Sequence, residues 1–160
     1  METTTSETVE FEGIGGARIS DKAAIRRFLL AGNAYFTLRS LTTGSRFTFR
    51  VSRADGEDAG RPWFVALLRG ASNESDYSYL GTIFPAGTGF RFVHGRKSKI
   101  SKDAPSARAF EWFASRLASA TDFPGTFEFW HEGRCCRCGR RLTVPESIAS
   151  GVGPDCAGRV

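Results

Sequence analysis

The chain has 160 residues, 41 % of them hydrophobic and 12 % aromatic, and a formal net charge of +5. That length and apolar content are enough for a buried core and exclude a disordered polymer. No run approaches the about 18 consecutive apolar residues that cross a bilayer, and the opening METTTSETVEFEG has neither the basic nor the apolar region of a secretory signal. A cytoplasmic protein with no membrane partner is therefore expected.

In chain order, residues 1–12 carry four glutamates and no basic residue, the composition of a flexible acidic tail. The GIGG that follows precedes a helix but comes after no apolar strand, so it is a weak phosphate-cradling signal. Residues 13–125 are expected to form an α+β domain. In SDKAAIRRFLLAG, Ser20 is the expected N-cap, Ile25, Phe28 and Leu29 share one face, and Gly32 ends the helix. AYFTLRS and SRFTFRVS alternate strictly around LTTGS, which predicts a hairpin with Phe36, Leu38, Phe47, Phe49 and Val51 inward. Tyr35, Arg39 and Arg50 then fall on its outer face.

The loop RADGEDAGR groups Asp55, Glu57 and Asp58, a pattern closer to a solvated turn than to a magnesium site. PWFVALLR, YSYLGTIF and GFRFVHG supply three more strands, separated by GASNESD and PAGTG. The expectation is a mostly antiparallel sheet of about five strands with one face left open. Asp103 is the expected cap of a main packed helix over APSARAFEWFASRLASA, in which Phe110, Phe113 and Leu117 recur at helical spacing. Trp112 lies toward the edge of that face between Arg108 and Arg116, an arrangement that serves either sheet-edge packing or protein recognition. The strand GTFEFWHEG leads into residues 126–160, expected to form a small zinc-knuckle or treble-clef-like module. There Thr143 and Glu146 stand at capping-box spacing around Pro145, and Gly151 can stop a short helix.

All four cysteines, Cys135, Cys136, Cys138 and Cys156, lie in this last segment. In a reducing compartment such clustering points to metal or catalysis before disulfides. The Cys135-x-x-Cys138 pair sits in an Arg-Gly loop, not at the head of a helix after a buried strand, which disfavours a thioredoxin-like redox couple. Gly139 lets the backbone turn so that amides point at thiolate sulfur, as in a zinc knuckle. A tetrahedral structural Zn2+ needs four donors, and His131, Cys135, Cys138 and Cys156 form the preferred set, with Cys136 as the alternative to His131.

The tail HEGRCCRCGRRLTVPESIASGVGPDC resembles an uncharacterised family of small phage, prophage and bacterial proteins whose ending follows His-Glu-Gly-Arg-Cys-x-x-Cys-Gly-Arg-x-Leu-Thr-x-Pro-Glu-Ser-Ile-x-x-Gly-x-Gly-Pro-x-Cys. Cys136 stands where that pattern has Gly. YFTLRSLTTGSRFTFRV, YSYLGTIF and HGRKSKISKDAPSARAFEWF are also similar to that family. The resemblance implies zinc binding, a phage connection and a bacterial host cytoplasm, and it implies no activity.

Setting aside the four glutamates of residues 1–12, the net +5 becomes +9 for the remainder, with eighteen Arg against four Lys. A basic body attracts phosphate by counterion release, and Arg suits bidentate phosphate contacts. The run FRFVHGRKSKISK concentrates Arg96, Lys97, Lys99 and Lys102 after a strand and before a helix. With Tyr35, Arg39 and Arg50 these are the candidate nucleic-acid contacts, for DNA or RNA. Catalytic patterns are thin: there are two histidines, and no nucleophile arrangement. The expected function is a non-enzymatic zinc protein binding nucleic acid. The alternative is a modulator of a host or phage protein through Trp112, and a metal-dependent nuclease is the third reading.

Overall fold

The computed structural model describes residues 17–53, 60–72, 75–87, 89–143 and 145–159. The acidic tail at 1–12, the GIGG stretch and the Asp55, Glu57 and Asp58 loop lie outside the described residues.

Alternation and helical periodicity produce the elements in the order β1 (Arg18–Ile19), α1 (Lys22–Leu29), β2 (Asn33–Ser40), β3 (Arg46–Arg53), β4 (Trp63–Leu68), β5 (Tyr77–Ala86), β6 (Gly89–His94), α2 (Pro105–Ala118), β7 (Phe127–His131) and α3 (Pro145–Ser150). The architecture is α+β. The sheet has seven strands, not five, in the order β1-β7-β2-β3-β4-β5-β6, and every pairing is antiparallel. The two additional strands are β1, too short to show alternation, and β7, which inserts between β1 and β2.

The predicted hairpin forms with Phe36 opposite Phe49 and Leu38 opposite Phe47. Because side chains alternate between faces, this register turns Phe36, Leu38, Phe49 and Val51 to one side. All four are buried, and Phe47 packs partly buried against them. Helix α2 lies on this face through Phe110 and Phe113. The Phe49 and Phe110 ring centroids are 5.0 Å apart, Phe92 and Phe110 4.8 Å, and Phe36 and Phe113 5.9 Å. β7 joins the same core because Phe129 stacks on Phe36 at 4.8 Å.

Helix α1 covers the same face farther along. Its Ile25, Phe28 and Leu29 are buried, and Phe28 meets Phe129 edge-on at 5.6 Å. Its N-cap is Asp21, not Ser20: an Asp21 carboxylate oxygen accepts the Ala24 amide at 2.9 Å. The cap of α2 also differs from expectation. Ala104 occupies it without a side-chain bond, because Pro105 at the first turn holds the preceding residue extended, at φ −62° and ψ 145°. Asp103 is exposed.

The opposite sheet face divides in two. Toward β7 it is closed: Thr37, Tyr35 and Trp130 are buried, and the Thr37 hydroxyl donates to the buried Glu132 carboxylate at 2.7 Å. Over β4, β5 and β6 it is open, with Phe64 41 %, Tyr79 38 %, Phe84 38 % and Val93 37 % exposed.

Candidate metal centre and basic face

After His131 the chain reverses through Gly133, at φ 81°, into an Arg134–Arg141 bridge. The Cys135 amide donates to the Arg140 carbonyl at 2.8 Å, and Gly139 donates back to the Cys135 carbonyl at 2.9 Å. Gly139 adopts φ 78°, and a Cβ there would lie 2.6 Å from Asn33 Nδ2, so the turn needs glycine for both conformation and space. α3 then ends at Gly151, whose amide bonds the Ser147 carbonyl at 2.8 Å, and the following turn returns Cys156 to the knuckle.

The result is a compact cluster in which the sulfurs of Cys135, Cys138 and Cys156 all lie within 4.8 Å of one another. A tetrahedral zinc with Zn–S bonds of about 2.3 Å holds its sulfurs about 3.8 Å apart, so the cluster fits such an ion with small adjustment. The surroundings favour thiolate at one member. Burial raises the Cys135 thiol, but the amides of Cys138, Gly153 and Arg137 aimed at its sulfur, with the Cys138 side chain, outweigh burial and bring it down to about 7. Burial, followed by the neighbouring sulfurs of Cys138 and Cys135, raises Cys156, and a cation between the sulfurs would oppose that rise.

The remaining predicted donors are elsewhere. His131 is fully buried and stacked on Phe28 at 5.8 Å. Its Nδ1 accepts the Gly133 amide at 3.0 Å, and its Nε2 is hydrogen-bonded to the Ile148 carbonyl. Burial lowers its pKa, partly offset by that carbonyl. His131 therefore ties the end of β7 to α3, and the structure does not bring it to the three sulfurs. Cys136 points into the main aromatic core, where burial, followed by the charge of Cys135, pushes its thiol up to about 12. Its amide donates to the Gly151 carbonyl and its carbonyl accepts from Asn33.

The basic run is placed as a fixed, wet loop. Arg96, Lys97, Lys99 and Lys102 are all exposed. Between them Ile100 is buried as an anchor, its carbonyl hydrogen-bonded to His94 Nε2 at 2.7 Å. The Ser98 hydroxyl donates to the Tyr79 carbonyl at 2.8 Å. Arg96 and Lys97 thereby line the same shallow depression as Phe64, Tyr79, Phe84 and Val93. None of those four was singled out from sequence. Sequence alternation in WFVALL turns Phe64 away from the core, but in YSYLGTIF it separates Tyr79 from Phe84; a register shift at Leu80 is what sets both on the open face.

Tyr35, Arg39 and Arg50 are separated from that loop by β4 and β5. Tyr35 is only 8 % exposed, with the Arg50 and Arg134 guanidinium groups 5.4 Å and 5.2 Å from its ring centroid, so its face is already occupied. Arg39 pairs with Glu128 at 3.4 Å. On the helical side, Trp112 is 37 % exposed, packs on Phe127 at 5.2 Å and lies under Arg116 at 5.3 Å. With Arg108, Leu38 and Phe47 it lines a groove of about 410 Å³.

No helix among the described residues is long and apolar enough to cross a membrane. No curated protein and no solved structure matches the chain. Residues 126–160, which carry β7, the knuckle, α3 and all three clustered cysteines, match the model of a family of unknown function, DUF6011.

Proposed function

We propose that this is a non-enzymatic, zinc-containing protein that binds nucleic acid across the open face of β4, β5 and β6. The carrying observation is the continuity of four exposed apolar side chains, Phe64, Tyr79, Phe84 and Val93, with Arg96 and Lys97 in one depression. Aromatic rings offer stacking surfaces to bases of any sequence, and the loop cations follow the phosphates, the combination used by single-strand binders. Zinc, held by Cys135, Cys138 and Cys156, is structural in this reading: the knuckle loop and the turn after α3, which share only a small apolar cluster, are joined through one ion. The phage or prophage setting rests on the sequence resemblance alone.

The Trp112 groove favours a second reading, a protein partner. An aromatic flanked by Arg108 and Arg116 over an apolar depression is the composition of an interface anchor.

Binding of a labelled single-stranded oligonucleotide at two salt concentrations separates the two. Neutralising Arg96, Lys97 and Lys99 together should flatten the log–log salt slope by about 0.7 per lost phosphate contact. Tyr79→Ala should weaken binding by about 1–3 kcal/mol if a base stacks there. A parent protein without affinity at near-physiological salt would leave the Trp112 groove as the better reading.

A further inference from the structure

Three thiolates leave a tetrahedral ion one donor short. Among the described residues, the side chains near enough to be considered are either engaged elsewhere or poor zinc donors. Both His131 ring nitrogens are hydrogen-bonded, one to the Gly133 amide and one to the Ile148 carbonyl, and the ring is held against Phe28. Cys136 is fixed by backbone bonds on both sides, to Gly151 and Asn33, with its thiol in the aromatic core. Asp155 directly precedes a clustered cysteine, but its carboxylate is 87 % exposed and pairs with Arg140 at 3.6 Å. Thr143 and Ser147 offer only neutral hydroxyls, poor competitors for zinc against thiolate, imidazole or carboxylate.

The three cysteines, and Asp155 beside them, line a cavity of about 220 Å³, large enough for several waters or a small ion. Arg140, Arg141, Thr143 and Ser147 line it together with Cys135, Cys138 and Cys156. Structural zinc sites are closed by four protein donors, whereas sites with three keep a position for solvent or substrate.

We propose that the metal at Cys135, Cys138 and Cys156 has an open fourth position, held by water at rest and exchangeable for a small exogenous anion admitted past Arg140 and Arg141. Arg141 supplies the attraction that a metal–trithiolate unit, itself carrying net negative charge, does not, while the charge of Arg140 is shared with Asp155. The inference depends on the cysteine cluster binding metal and is independent of nucleic-acid binding. It adds to the structural role of the ion one position that responds to what is dissolved around it.

The test uses the full-length protein loaded with zinc and, separately, with cobalt. X-ray absorption at the zinc edge is expected to show three sulfurs and one oxygen without the outer-shell scattering of an imidazole. In the cobalt protein, azide is expected to shift the visible d–d bands saturably, with one azide per ion, and Asp155→Asn is expected to leave the azide-free spectrum unchanged. An imidazole signature would place His131 on the metal, and a fourth sulfur would place Cys136 there; either overturns the proposal. Bands that saturating azide does not move, or that Asp155→Asn shifts, overturn it as well. If neither zinc nor cobalt binds stoichiometrically, the metal reading itself fails and takes this inference with it.

Discussion

Gly151→Ala tests how firmly the cysteine-bearing segment is joined to the aromatic core. Gly151 sits at φ 78°, and a Cβ built there lies 2.7 Å from two carbons of the Phe28 ring and 3.5 Å from His131 Cδ2. Placing an L-residue in the left-handed region costs about 1–2 kcal/mol. The ring cannot step aside, because Phe28 is 1 % exposed and packed among Phe36, Phe129 and His131. Overpacking of that kind adds about 1–3 kcal/mol, for a total loss of about 2–5 kcal/mol. Against a usual domain stability of about 5–15 kcal/mol this is a large fraction. Urea unfolding of the zinc-loaded protein, followed by circular dichroism, should show a lower midpoint with an unchanged slope. Two controls divide the effect. Gly44 has φ 77° with nothing within 4 Å of its built Cβ, so Gly44→Ala isolates the backbone cost, while Gly125 has neither feature and should tolerate Ala within about 0.5 kcal/mol. A Gly151→Ala loss no larger than that of Gly44→Ala would refute a rigid contact between this turn and Phe28.

Single replacement of Cys138 or Cys156 by Ser should abolish stoichiometric zinc binding, whereas Cys136→Ala should retain the metal and lower stability by about 1 kcal/mol, the scale of a small core truncation; zinc per chain and thermal unfolding read both. Acid should weaken the metal-free protein through His131. Burial depresses its pKa below the ordinary 6.5, so the unfolded chain takes the proton more readily, and the contribution present above pH 6.5 is lost as pH falls through the folded value. His131→Gln should remove that part of the pH dependence, and identical profiles for parent and variant would exclude His131 as its source.

The hairpin was legible because Phe36, Leu38, Phe49 and Val51 obey a period of two, which fixes the faces, with a short turn between them that fixes the register. Phe110, Phe113 and Leu117 marked the main helix in the same way. Helix starts were less legible. Asp21 and Ser20 are adjacent capping residues and sequence does not rank them, while Pro105 decided the α2 boundary by restricting Ala104. The place of β7 was not legible at all. Its alternation identifies a strand, but the slot between β1 and β2 depends on Phe129 stacking on Phe36, a contact between residues far apart in the chain. For the metal cluster, cysteine spacing pointed to Cys135, Cys138 and Cys156. It could not reveal that the His131 ring would be claimed by Gly133 and Ile148: the first is a local turn bond that spacing does not encode, and the second exists only after α3 has folded back.

The position of β7 also sets the order in which the protein can assemble during synthesis. Each of β3 to β6 pairs with the strand made just before it, so this meander can form as the chain leaves the ribosome. β1 has no such neighbour: among the described residues its only strand partner is β7, the last strand in chain order. Until then one flank of β2 remains a bare edge, bordered by Phe36 and Leu38, the kind of surface that recruits strands from other chains. Nascent chains halted before Phe127 would all share that edge, and crowding on a polysome would bring many copies of it together. On this topology the β2 edge is covered only once β7, the strand that leads into the cysteine cluster, has been made.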